Sequence, residues 1–72
     1  MNKFSKYLVE LRKKNNLSQN ELAKMLNVSQ QTISFWESGR RTPKLRHAIL
    51  LSDNFNISIE EIIDCFSSRN PA

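Results

Sequence analysis

The sequence predicts a small all-α domain of five helices, and three observations support this fold class. Apolar residues recur three and four positions apart along most of the chain, which is the period of an amphipathic helix. Glycine occurs once and proline twice in 72 residues, so few positions break a helix. Serine or threonine precedes most of the apolar stretches, where such residues cap helix N-termini. A chain of this length has room for one domain with a modest core.

The first two helices are predicted on either side of the pair Asn15-Asn16. The first carries an apolar stripe at helical spacing, made of Phe4, Tyr7, Leu8 and Leu11. Ser18 followed by Glu21 predicts a capping box, in which the serine side chain caps the next helix and the glutamate reaches back. That second helix, about Ser18–Leu26, carries the apolar residues Leu22, Ala23, Met25 and Leu26.

Only about three residues separate the second predicted helix from the third, which covers about 30–38. Asn27 tolerates the left-handed conformation that such a short turn requires. Ser29 is the predicted N-cap of the third helix, and Gly39 fits the position just past its end. Two helices so closely spaced predict a helix-turn-helix, in which the second helix enters the major groove of DNA.

Two further helices complete the predicted fold. Thr42 with Pro43 predicts the start of the fourth, because the missing N–H of proline costs nothing at the first helical position. Asn56 ends this helix, whose expected inward residues are Leu45, Ala48, Ile49, Leu51, Ser52 and Phe55. A second capping box, Ser58 with Glu61, opens a fifth helix with the stripe Ile59, Ile62, Ile63 and Phe66. The domain is therefore predicted over 1–66, with 67–72 as a short frayed tail.

The charge is distributed unevenly along the chain. Residues 1–46 hold ten Lys and Arg against three Asp and Glu, whereas residues 47–72 hold one against four. A basic part joined to an acidic part suggests one face that binds a polyanion. Charge alone does not separate nucleic acid from an anionic membrane surface, or from a solvated surface with a chance imbalance.

The third helix presents two different faces when it is projected at 3.6 residues per turn. Ile33, Trp36 and Glu37 fall on the inward side, and the outward side holds Gln30, Gln31, Ser34, Phe35 and Ser38. Glutamine can bond an adenine edge through two hydrogen bonds, serine can bond several bases, and an apolar ring can touch a thymine methyl group. Ordinary polar surface explains this face equally well. The basic residues just after the helix, which suit phosphate contacts, favour DNA: Arg40, Arg41 and Lys44.

The combined pattern is specific to one family. The stretches LSQNELA (17–23) and VSQQTISFWESG (28–39), followed by Pro43, resemble the Cro/CI-type, or XRE-type, helix-turn-helix family of phage repressors and bacterial regulators. The resemblance covers about residues 4–66. It implies a lambda-repressor-like five-helix domain that binds operator DNA, usually as a symmetric dimer.

The resemblance also implies roles for single residues. Gln19 matches a phosphate-contacting position, Gln30 and Gln31 match base-contacting positions, and Ser34 matches a further groove-facing position. Phe35 stands where phage repressors often carry a polar residue, and we expect it to contact a thymine methyl. Ser38 and Arg40 match positions that contact the DNA backbone, and Asn27 replaces a glycine of many members. The expected DNA-binding set is Gln19, Gln30, Gln31, Ser34, Phe35, Ser38, Arg40, Arg41 and Lys44.

Arg12 and Glu37 match an ion pair of related repressors, between the first helix and the third. One interpretation is that the pair orients the recognition helix and holds Arg12 near phosphate. The other is a purely structural pair, which we favour because buried ion pairs often serve geometry rather than affinity.

The sequence offers little for catalysis or metal binding. A single cysteine, Cys65, and a single histidine, His47, exclude an internal disulfide, a cysteine-based zinc site and a multi-histidine site. Cys65 has no accompanying histidine–acid pair, and the acids Glu60, Glu61 and Asp64 suit a helix N-terminus. No apolar run of 18 residues is present, and we expect no signal peptide. We therefore expect a cytoplasmic protein with no enzymatic activity, cofactor, metal or membrane partner.

Some apolar residues exceed what a small core can cover, and such residues can mark a protein interface. The candidates for a two-fold dimer face are Leu50, Ile57, Ile59 and Phe66. Plain core packing is the alternative for each of them.

The leading hypothesis for function is a sequence-specific regulator, most simply a repressor that binds a palindromic operator. The alternatives are a DNA-binding antitoxin whose acidic part binds a toxin or another protein antagonist, and, last, a small enzyme.

Overall fold

The computed structural model describes residues 3–66, which form five α-helices joined by short turns. The helices are α1 (Lys3–Lys14), α2 (Gln19–Leu26), α3 (Gln30–Ser38), α4 (Leu45–Phe55) and α5 (Ile59–Phe66). No strand occurs within residues 3–66. The predicted all-α, five-helix fold is confirmed. The tail predicted at 67–72 lies outside the described residues.

The chain leaves each of the first four helices through a residue with positive φ. Asn16 and Asn27 have φ of 57°, Asn56 has 56° and Gly39 has 81°. Glycine enters this left-handed region freely, and asparagine enters it more easily than most other residues. The left-handed turn predicted at Asn27 and the helix end predicted at Gly39 are both confirmed.

One core draws side chains from all five helices. α3 packs against both α1 and α2, and α5 packs against α1 and α4. α3 is therefore held from two sides, which fixes the direction of its remaining face. The buried apolar side chains are Phe4, Leu8, Leu22, Ala23, Leu26, Ile33, Trp36, Ala48, Leu51 and Ile62.

The start of α4 differs from the prediction. The helix begins at Leu45 with Lys44 as its N-cap, not at Thr42 and Pro43. The reason is a capping contact that a search for serine and threonine does not detect. The backbone N–H of Lys44 donates to Nδ1 of His47 at 3.2 Å. The side chain that caps this terminus therefore belongs to a residue of the first helical turn and not to a residue before the helix.

Four apolar residues assigned to the predicted helices are exposed instead. Leu45, Ile49, Ile63 and Met25 are 63%, 46%, 44% and 37% exposed. Successive helical residues point about 100° apart. Ile49 therefore points about 100° away from the direction of the buried Ala48, and Ile63 points about 100° away from that of the buried Ile62.

The two predicted capping boxes turn out differently. At α2 the box is complete: the N–H of Glu21 donates to Ser18 Oγ at 3.0 Å, and the N–H of Ser18 donates to Glu21 Oε1 at 2.8 Å. At α5 the N–H of Glu61 donates to Ser58 Oγ at 3.1 Å. The Glu61 carboxylate, however, accepts from the Tyr7 hydroxyl at 2.8 Å, and so links α5 to α1. No helix in the described part of the chain is long and apolar enough to cross a bilayer.

Candidate nucleic-acid interface

α2 and α3 form a helix-turn-helix with a three-residue connection. Val28 follows the left-handed Asn27, and its N–H donates to the carbonyl of Ala23 at 2.9 Å. Ala23 is buried and carries a single methyl group, so it leaves room for the neighbouring helix. The turn ends at Ser29, whose Oγ accepts from the N–H of Thr32 at 3.1 Å and caps α3.

α3 exposes a polar face that begins at its N-terminus. Its inward face holds Ile33, Trp36 and Glu37, all buried as the helical projection predicts. Its outward face consists of the exposed Gln30, Gln31, Ser34 and Ser38, together with the half-buried Phe35. Because one side of α3 packs in the core, its opposite side presents an uncharged surface of hydrogen-bonding groups to solvent.

The amides of Gln30 and Gln31 are free to bind another molecule. Within residues 3–66, neither side-chain amide forms a hydrogen bond with another protein group. Each amide offers two N–H donors and one carbonyl acceptor, which is the set that pairs with an adenine edge.

A buried carboxylate joins the three helices around this surface. Glu37 is 8% exposed, and it accepts from Arg12 Nε at 2.7 Å and from Arg12 Nη2 at 3.1 Å. Gln19 Nε2 donates to the same carboxylate at 3.0 Å. Arg12 Nη1 also donates to the carbonyl of Leu17 at 3.0 Å. The hydrogen bonds to Glu37 raise the pKa of Arg12, so this guanidinium is charged at every working pH.

The segment after α3 folds back on that helix. The backbone N–H groups of Arg40 and Arg41 both donate to the carbonyl of Phe35, at 2.9 and 3.3 Å. The Arg41 guanidinium carbon lies 5.0 Å from the centre of the Phe35 ring, a cation–π contact. Arg40, Arg41 and Lys44 are all exposed, so this segment presents three cations next to the end of α3.

Two of these contacts were not predicted from the sequence. The bond from Gln19 to Glu37 depends on how α2 crosses α3, which no local pattern shows. The stacking of Arg41 on Phe35 has a local signal, because an aromatic residue in the last turn of a helix precedes an arginine just beyond a glycine cap.

His47 also has a role that the sequence did not predict. Its ring packs against Trp36 of α3 with ring centres 5.0 Å apart, while its Nδ1 caps α4. Burial lowers the pKa of His47, and the nearby cations Arg46 and Lys44 lower it further. A neutral imidazole suits the capping role, because only the unprotonated Nδ1 can accept the bond. The position of histidine three residues after Lys44 was the available signal.

The residues predicted for a dimer face are partly covered by the protein itself. Leu50, Ile57, Ile59 and Phe66 are half-buried and pack against the core, and the Phe66 ring centre lies 4.6 Å from that of Phe4. Leu50 is half-buried and not fully exposed. A dimer face at these residues stays a prediction.

The described residues show no group of three or more side chains suited to holding a metal ion. Cys65 is a free, half-buried thiol, and burial raises its pKa, which disfavours the reactive thiolate.

The fold and the exposed face of α3 define a helix-turn-helix DNA-binding domain. The chain matches the helix-turn-helix family HTH_3 over residues 8–62. It belongs to this XRE-type family, as the motifs of α2 and α3 predict.

Named relatives of this chain are transcriptional regulators. It is 38% identical over 60 residues to the HTH-type transcriptional activator BcrR of Enterococcus faecalis, covering 83% of this chain but 29% of the activator. It is 43% identical over 53 residues to an uncharacterized HTH-type transcriptional regulator of Archaeoglobus fulgidus, covering 74% of this chain and 75% of the relative. A crystal structure of a transcriptional regulator from Listeria innocua superposes with a TM-score of 0.80 at 28% identity, covering 96% of this chain and 63% of that one.

Proposed function

We propose that this protein regulates transcription by placing α3 in the major groove of duplex DNA. The observation that carries the proposal is the pair of exposed, unbonded amides of Gln30 and Gln31, at the N-terminal end of a helix anchored from behind. A recognition helix of this kind reads base edges with its N-terminal residues. Because such a protein acts where the genome lies, we place it in the cytoplasm.

The outward residues divide into two roles. Gln30, Gln31 and Ser34 face the base edges, where amide and hydroxyl groups can discriminate between base pairs. A second group contacts phosphates and holds the domain in register, without reading the sequence directly. This phosphate-contacting group consists of Gln19, Ser38, Arg40 and Lys44.

Two of the phosphate contacts compete with bonds inside the protein. Gln19 has two amide N–H donors, and one of them is bonded to Glu37, so the other is left for phosphate. The Ser38 hydroxyl donates to the carbonyl of Phe35 at 3.2 Å, and it must rotate to donate to DNA. Arg40 and Lys44 have no such constraint, and we expect them to supply most of the salt-dependent affinity.

We further propose that two copies bind a palindromic operator and that the bound dimer represses transcription. Two-fold symmetry would place the recognition helices about 34 Å apart, one turn of DNA. Ile57 and Ile59, before and at the start of α5, are the favoured contact residues. BcrR is named an activator, so promoter output must be measured together with binding.

Selection of bound sequences from a random duplex pool tests this function. We expect the full chain to enrich a palindromic consensus, and the double variant Gln30→Ala, Gln31→Ala to lose the preference at the base pairs that these two amides read. Asn54→Ala on α4 is a matched control that removes an exposed amide elsewhere and should keep the consensus. Enrichment of a consensus without symmetry, with one chain per duplex in sedimentation, would contradict the dimer. A pool without any enrichment would contradict sequence-specific binding.

A further inference from the structure

Phe35 lies on the outward face of α3, one helical turn beyond Gln31. Four residues along a helix correspond to about 6 Å along its axis, and both side chains point to the same side. Successive base pairs are about 3.4 Å apart. If Gln31 lies over one base pair, Phe35 therefore lies over a pair about two steps away.

The Phe35 ring does not stand alone on this face. The Arg41 guanidinium covers it at 5.0 Å, and the backbone N–H of Arg41 is bonded to the carbonyl of the same phenylalanine. Within residues 3–66, no carboxylate forms an ion pair with Arg41. A guanidinium held over a ring by a cation–π contact keeps its planar set of N–H donors, which can still bond another group.

We propose that Phe35 and Arg41 act as one unit, in which the ring holds the guanidinium toward a guanine in the major groove. This assignment rests on the proposed function and adds a base to it. Guanine presents two acceptors there, O6 and N7, and the paired N–H groups of arginine match them. Phe35 is then a positioning residue. Arg41 covers the face of its ring, so this proposal replaces the thymine-methyl contact expected from the sequence.

The geometry favours a base edge over a phosphate as the partner of Arg41. The contact with Phe35 places the Arg41 guanidinium over a ring on the outward face of α3, on the side of the helix that also carries Gln31. Arg40 precedes it in the chain and, within residues 3–66, makes no cation–π contact with that ring, so Arg40 is the better phosphate ligand. The two arginines thus have different roles although they are neighbours in the sequence.

The experiment compares the DNA sequences that the full chain and its variants select from a random duplex pool. We expect the wild type to prefer guanine at one position in each half-site, within about two base pairs of the position read by Gln31. Arg41→Lys and Phe35→Leu should each reduce that preference by about tenfold, and leave the other positions unchanged. Phe35→Tyr keeps a ring and should restore the preference. Arg46→Lys, an exposed arginine on α4, is the matched control and should select the wild-type consensus.

Circular dichroism and melting of each variant show whether it is folded, and the rescue by Phe35→Tyr separates positioning from packing. The proposal is overturned if Arg41→Lys weakens all sequences equally, because that is a phosphate contact. It is also overturned if Phe35→Leu changes preference only at a thymine, or if both variants select the wild-type consensus. A wild type that selects no consensus would contradict the proposed function itself, which is a different result from these three.

Discussion

Glu37 is a carboxylate placed in the interior of a small domain, and its three hydrogen bonds explain why it can be charged there. A buried charge is tolerated only when it is paired and hydrogen-bonded. Arg12 and Gln19 meet this need from α1 and α2. The same contacts fix the back of α3, so a single residue connects the stability of the fold to the direction of the recognition face.

Glu37→Gln tests whether this ion pair is structural. The change leaves the Arg12 guanidinium without its charged partner, and we expect the free energy of unfolding to fall by about 1–3 kcal/mol. DNA affinity should fall only as far as the folded fraction falls, and Glu10→Gln, an exposed acid on α1, should change neither. Lost affinity with an unchanged melting temperature would show that the pair acts on DNA binding directly.

Variants at Gln31 and Arg40 distinguish contacts with base edges from contacts with phosphates. Gln31→Ala should cost about 1–3 kcal/mol at the selected site and relax the preference at one base pair. Arg40→Ala should weaken all sequences to a similar extent and make the salt dependence shallower by about one unit of slope. DNA titrations at several salt concentrations measure both effects. If neither variant changes them, α3 is not the DNA-binding surface.

Among the helices, α2 and α3 could be predicted closely because their ends are encoded locally. The side chains of Ser18 and Ser29 accept backbone N–H groups where these helices begin. Asn27 and Gly39 end the helices by adopting the left-handed conformation. The start of α4 could not be predicted in this way, since its capping group is the ring of His47. The exposure of Ile49 and Ile63 also depends on which helices cover α4 and α5, and a helical stripe does not show how wide the core is.

The start of α4 should weaken in acid. Folding lowers the pKa of His47 below its ordinary value of about 6.5, so the unfolded chain takes up the proton first as the pH falls. Stability from this residue is therefore complete above about pH 6.5 and is lost below it. Protonation also removes the acceptor for the N–H of Lys44.

Urea unfolding at about pH 7.5 and about pH 5.5 measures this effect. His47→Gln keeps a side-chain acceptor but has no proton to gain, so its stability should fall less over the same interval. The same loss in both proteins would show that His47 is not the source of the pH dependence.

Over the whole molecule, the basic residues of the proposed interface and the acidic cluster lie on different elements. The cations Arg40, Arg41 and Lys44 follow α3 directly, whereas Glu60, Glu61 and Asp64 belong to α5. The uneven distribution of charge along the sequence therefore corresponds to basic residues after α3 and acidic residues on α5. The contact of Arg41 with Phe35 has a local signal in the aromatic residue and the arginine, but the contact itself depends on the path of the α3–α4 segment in three dimensions.

In the proposed complex, the outward face of α3 contacts the base edges of DNA. Nuclear magnetic resonance of the full chain, titrated with its selected duplex, tests this claim most directly by following the side-chain amides of Gln30 and Gln31. We predict that these two signals shift strongly, together with the backbone signals of α3 and the segment after it, while Asn54 on α4 stays in place. Unchanged Gln30 and Gln31 signals in a saturated complex, with shifts confined to α4 and α5, would contradict the account.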